Sequence, residues 1–202
     1  MGSKGVFDLE THFAFYGAYH SNPVNVLIHT IFVWPIFFTS LVLLYFTPSP
    51  FRLLGFEPPF TLPSHVLFFN FGFFFALLYA GFYVLMDRKA GSLAAFLCMG
   101  CWVGSCYLAN HLGSSLASKV VLGAQVLCWT GQFLGHGIFE KRAPALLDNL
   151  VQAFLMAPFF VLLEVLQMVF GYEPYPGFHS NVKEKIDAEI KVWQESKQRK
   201  MS

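Results

Sequence analysis

Two short stretches carry the side chains able to do chemistry. The first, "AYHSNPVNVLIH" (residues 18 to 29), holds His20, Asn25 and His29; the second, "QFLGHGIFEKR" (132 to 142), holds Gln132, His136, Glu140, Lys141 and Arg142. Neutral imidazole is a common protein ligand for zinc, iron and copper, and three imidazoles leave coordination positions open for other molecules. His20, His29 and His136 are therefore candidate metal ligands and, with Glu140, the candidate catalytic residues. Glu140 can join the ligand set, support a ligand ring, or pair with Lys141 or Arg142. Asn25, Gln132, Lys141 and Arg142 are the candidates to bind a substrate, the two cations being suited to a carboxylate head group. A histidine near a helix end also serves as an interfacial hydrogen-bonding residue. Residue types alone leave both readings open.

The spacing narrows this. Asn25 and His29 are four apart and share one face of a helix. His20 sits just before Asn22 and Pro23, where a helix N-cap and first turn are signalled and the chain can reverse. Gln132, His136 and Glu140 recur at i, i+4, a polar stripe on an otherwise apolar helix. Such a stripe at membrane depth is expensive and is a functional candidate by default.

The elements that must carry these residues are membrane helices. Apolar residues make up 55% of the 202-residue chain and charged residues only 12%, and Phe occurs 25 times, more apolar surface than one small core can bury. A net charge of +1 argues against a nucleic-acid partner. The expected fold is all-α, a polytopic membrane helical bundle in a single domain spanning residues 1–202. An interfacial helix is expected over 7–22 and a bundle over 23–170. Full spans fall at 24–46, 64–86, 91–110 and 120–139, followed by a fifth apolar segment, 146–170, tilted or re-entrant because it carries Asp148, Gln152 and Glu164. The tail from 180 to 202 alternates charges as a solvated helix does.

The basic short loops, "DRK" (87 to 89) and "EKR" (140 to 142), put the ends of spans two and four on the cytoplasmic side. The start of span one and the end of span four then share that side, so the three histidines can meet. His111 falls on the opposite side, and His12, His65 and His179 lie in loops or at the surface. The cysteines, including the Cys98/Cys101 pair, read as packing residues, with no charge nearby to activate a thiol.

"FYGAYHSNPVNVLIH" and "WTGQFLGHGIFEKRAPALLDNLVQAFLMAPFFVLLE", in this order, resemble the endoplasmic-reticulum 2-hydroxy fatty acid dioxygenase family, whose fungal member acts in phytosphingosine breakdown. The resemblance covers roughly residues 7 to 170, with the middle, 47 to 118, alike only in hydropathy. It implies an Fe(II)-dependent dioxygenase of fatty acid α-oxidation, in which a 2-hydroxy fatty acid and O₂ give a fatty acid one carbon shorter. The family's motif histidines fall on His20, His29 and His136. The implied location is the endoplasmic reticulum membrane with the active site towards the cytosol. The competing functions are a non-enzymatic lipid-binding or assembly protein of the membrane and a zinc-dependent membrane hydrolase.

Overall fold

The computed structural model describes residues 5–58, 64–144 and 149–199, and these are helical with no strand among them. The chain divides into two compact units, one formed by residues 1–30 with 132–202 and the other by 31–131. The elements in order are α1 (Leu9–Tyr19), α2 (Pro23–Tyr45), the short α3 (Pro50–Leu53), α4 (Phe71–Met86), α5 (Arg88–Leu134), α6 (Ala157–Phe170) and α7 (Phe178–Arg199). Among the described residues, the π-helical turns Gly135–Glu140 and Gln152–Met156 follow α5 and precede α6.

Within the 31–131 unit, the second expected span is shorter than its apolar run. Asn70 accepts the Phe73 N–H at 2.9 Å and so starts α4 at Phe71, leaving residues 64–70 outside the helix. At 16 residues, α4 rises about 24 Å, less than a hydrocarbon core of about 30 Å. The expected third and fourth spans lie on one helical stretch, Arg88–Glu140, and the break between 110 and 120 is confined to Gly113. Gly113 adopts φ 68° and ψ 165°, a conformation closed to residues with a Cβ. The break lets Ala109, on one side of it, share a core with Ala117 and Val121 on the other and with Val42, packed against Phe38, Tyr45, Leu108 and Leu112. Among the described residues three helices are long and apolar enough to cross a membrane, Pro23–Tyr45, Arg88–Glu140 and Gln152–Phe170, the second of them carrying both the third and the fourth expected spans on either side of Gly113. Cys98, Cys106 and Cys128 are buried and all four thiols are free.

The other unit gathers α1, the first turns of α2, both π-turns, α6 and α7. Asp8 caps α1 by accepting the Thr11 N–H at 3.1 Å. The helix buries Leu9, Phe13, Ala14, Tyr16, Ala18 and Tyr19, so that side of it is packed into protein. Its partner is the tail. Phe178 is fully buried and stacks on Phe13 with ring centroids 5.8 Å apart. Lys185 pairs with Glu10 at 2.6 Å, and Asn181 and Tyr175 also donate to the Glu10 carboxylate. The alternating charges mark the exposed face of α7, as expected of a solvated tail helix over 180–202, and its buried side chains are Phe178, just before that stretch, and Val182. His12 is not in a loop; it lies in α1, with its Nδ1 2.9 Å from Gln152 Nε2.

Candidate metal centre

His20, His29 and His136 converge. Their ring centroids are 4.2 Å apart for His20 and His29 and 4.9 Å for each of the other two pairs. One ligating nitrogen from each lies within 4.8 Å of the others, and all three side chains are buried. Among the described residues no other trio of His, Cys, Asp or Glu is arranged to hold an ion.

Each histidine is delivered by a different local device. α1 ends at Tyr19, and His20 follows it in a non-helical conformation with φ −135° and ψ 58°. Asn22 Oδ1 then accepts the Val24 N–H at 2.9 Å as α2 begins at Pro23, the N-cap and proline start that the sequence signals. His29 stands one turn and a half into α2. His136 lies in the π-turn, which closes on the left-handed Lys141 (φ 52°) whose N–H returns to the His136 carbonyl. The i, i+4 stripe of Gln132, His136 and Glu140 supposes a regular α-helix. Widening of the last turn into a π-helix changes the direction of Glu140 relative to Gln132 and His136, and π-turns of this kind recur at functional sites.

The rings are oriented for ligation. His20 Nδ1 is 2.7 Å from the Tyr16 carbonyl and His29 Nδ1 is 2.9 Å from the Asn25 carbonyl. With each Nδ1–H donated to a carbonyl, the Nε2 lone pairs are left for an ion, the arrangement seen in metal-bound histidines. His20 Nε2 and His136 Nδ1 are buried without a hydrogen-bond partner. Unpaired buried nitrogens cost free energy unless something satisfies them. Burial, with the His29 and His136 rings adjacent, holds the His20 imidazole well below the usual histidine range. It stays neutral, as a ligand must be. The donor set therefore fits a divalent transition ion.

Glu140 supports the centre from outside the trio. Its carboxylate accepts from the Ser21 N–H at 3.1 Å, the Ser21 hydroxyl at 2.5 Å, the Asn22 N–H at 3.0 Å and Asn25 Nδ2 at 3.1 Å. It braces the α1–α2 joint; among the described residues it forms no ion pair with Lys141 or Arg142, and it does not belong to the ligating trio. Arg142 donates through Nη1 to the Ala18 carbonyl at 2.7 Å and lies 3.5 Å above the Tyr19 ring, with Trp193 of α7 on another side at 5.2 Å. Lys141 is exposed.

Asn25 is fully buried, with Oδ1 unpartnered, and Gln132 is buried with Nε2 unpartnered. His65 and His179 are exposed, as expected, and His111 is exposed on α5 in the 31–131 unit. Sequence reasoning missed Tyr16, whose ring stacks on His20 at 4.0 Å and 18°. The signal available was its position, one turn before His20 on a predicted helix.

Residues 6–169 match the family described as 2-hydroxy-palmitic acid dioxygenase Mpo1-like. The chain is 35% identical over 191 residues to the 2-hydroxy-palmitic acid dioxygenase MPO1 of Saccharomyces cerevisiae, a similarity covering 95% of this chain and 94% of the yeast protein. No solved structure matches the chain. With its paired histidine motifs brought together in one buried centre, the chain belongs to the Mpo1-like family of 2-hydroxy-palmitic acid dioxygenases.

Proposed function

We propose that this protein is an Fe(II)-dependent dioxygenase that converts a 2-hydroxy fatty acid and O₂ into the fatty acid one carbon shorter, at the endoplasmic reticulum membrane with its active site on the side towards the cytosol. The observation that carries the reading is the convergence of three buried imidazoles, two with Nδ1 tied to a backbone carbonyl, in a chain related to a 2-hydroxy-palmitic acid dioxygenase. His20, His29 and His136 would hold the ion. Iron(II) bound there supplies Lewis acidity and the one-electron chemistry by which O₂ can be activated.

The reaction balances without another reductant. Loss of C1 as CO₂ and conversion of the 2-hydroxyl carbon to a carboxyl removes four electrons from the substrate, and O₂ takes up four, with water as the remaining product. The chain's own residues bind and orient. Lys141 and Arg142 offer positive charge to the substrate carboxylate. Gln132 Nε2, a buried donor with no partner, can serve the carboxylate or the 2-hydroxyl, and the unpaired Asn25 Oδ1 can accept from that hydroxyl. Burial of all three imidazoles excludes bulk water from the reacting carbons. The acyl tail gains about 0.8 kcal/mol per CH₂ from lipid, so a centre at helix ends suits a substrate whose head is polar and whose tail is not.

Metal analysis of protein purified in detergent, combined with O₂ uptake on 2-hydroxypalmitate, tests this. Stoichiometric iron, O₂ consumption and pentadecanoate as product are expected. Zinc with no O₂ uptake would point to a hydrolase, and metal-free protein unable to take up iron would point to a non-enzymatic role.

A further inference from the structure

His20 differs from the other two histidines in what holds it. His29 is built into a regular helix and His136 into a closed π-turn, whereas His20 occupies the irregular joint after α1. A ligand on such a joint has several orientations of similar energy, so contacts from outside must choose one. Tyr16 supplies two of them. Its ring stacks on the imidazole at 4.0 Å and 18°, and its carbonyl lies 2.7 Å from Nδ1.

Tyr16 is itself held from α6. Its hydroxyl donates to Glu164 Oε2 at 3.1 Å, and its ring packs 5.5 Å from that of Phe160, one helical turn earlier on the same face. Glu164 is the one charged residue of α6, in "APFFVLLEVLQMVF", and among the described residues no cation pairs with it. A carboxylate on an apolar helix is expensive, and a Phe–Leu pair would fill the same space without that cost. What the hydroxyl and carboxylate add is position: they pin the far end of the Tyr16 ring, while Phe13 and Phe160 pack against it, and together they fix the surface on which His20 lies.

We propose that Glu164 and Tyr16 are positioning residues of the metal centre, a hydrogen-bonded strut from α6 that sets the orientation of the His20 ring. The ligand role of His20 rests on the metal reading above; the strut itself does not need the ion to be present.

Four variants of the full chain test it: Glu164→Gln, which keeps an acceptor oxygen, Glu164→Leu, Tyr16→Phe, and the double variant Tyr16→Phe/Glu164→Leu, which leaves no buried polar group unpaired and keeps the test open if a single variant misfolds. The first readout is the upfield ring-current shift of the His20 imidazole protons by NMR of metal-free protein. The second is Fe(II) affinity by chelator competition. Wild type and Glu164→Gln should share the full ring-current shift. The other three should lose much of it and bind Fe(II) about 10–100-fold more weakly, the double variant being no worse than either single one because the residues act as one unit. An unchanged His20 shift and unchanged Fe(II) affinity in the double variant would overturn the proposal, as would a Glu164→Gln variant as impaired as Glu164→Leu. A ring-current shift that follows this pattern in a protein unable to bind Fe(II) would uphold the strut and sink the metal reading alone.

Discussion

Glu140 Oε2 accepts a hydrogen bond from Asn25 Nδ2 at 3.1 Å, joining the end of the π-turn to the first turns of α2 across 115 residues of sequence. The same carboxylate takes the N–H groups of Ser21 and Asn22. One side chain therefore ties the joint that carries His20, the helix that carries His29 and the turn that carries His136. Its work is geometric. Removing an ionised acceptor with several donors costs about 2 kcal/mol, and loosening the support of a ligand set costs about 10–100-fold in metal affinity. Glu140→Ala should therefore lower both the thermal midpoint and Fe(II) affinity. If turnover fell while both stayed at wild-type values, Glu140 would be acting on the substrate instead.

Each of His20→Ala, His29→Ala and His136→Ala should abolish turnover and bring bound iron below one per chain, measured by elemental analysis of the purified variants. Two imidazoles with no third donor in reach hold a labile divalent ion poorly. His65→Ala and His179→Ala should keep full iron and full turnover, since both side chains are exposed and outside the trio. His111→Ala should also keep its iron; loss of iron there would show that the assigned ligand set is wrong.

Gly135 shows how tightly the centre is built. A Cβ at this position would lie 2.4 Å from Asn25 Oδ1, inside any allowed contact. Asn25 cannot swing away freely, because its Nδ2 is bound to the Tyr19 carbonyl and to Glu140. Gly135→Ala should cost about 1–3 kcal/mol by overpacking and reduce iron affinity along with stability. Gly137, with open space where its Cβ would stand, is the control, and Gly137→Ala should change little. Denaturation and iron titration of the two variants side by side settle the comparison.

The site was legible where chemistry and helical spacing coincide. Asn25 and His29 share a face because a regular helix puts i and i+4 together, and the Asn22–Pro23 start is a local signal that needs no tertiary contact to be read. Spacing alone could not show what Glu140 touches. Its neighbours in sequence, Lys141 and Arg142, suggested ion pairs, but the π-turn and the left-handed Lys141 turn the carboxylate towards Ser21, Asn22 and Asn25. Such a widening has no clear sequence signature. Hydropathy likewise found the apolar stretches but not the form of their breaks: Asn70 within "FFNFG" is a cap that shortens α4, and the interruption expected between 110 and 120 is confined to Gly113 in a 53-residue helical stretch. Charge alternation in the tail described one face of α7 and hid the other, which only the packing on α1 displays.

That hidden face yields the last prediction. Phe178 is fully buried, stacked on Phe13 at 5.8 Å and met edge-on by Tyr175 at 5.3 Å. A solvated tail helix would tolerate its loss, whereas a docked one would be left with a cavity. Phe178→Ala should therefore cost about 3–5 kcal/mol, read as a lower midpoint in chemical denaturation. Phe13 packs on Tyr16 at 5.9 Å, and Tyr16 on His20, so the cavity opens two rings away from the metal centre. Iron affinity should fall with stability. Trp193 provides the contrast further along α7: it lies over Arg142 at 5.2 Å, and a cation–π contact at a partly exposed site is worth about 0.5–1 kcal/mol. Trp193→Ala should give a loss in that smaller range, and a midpoint unchanged in Phe178→Ala would return α7 to solvent.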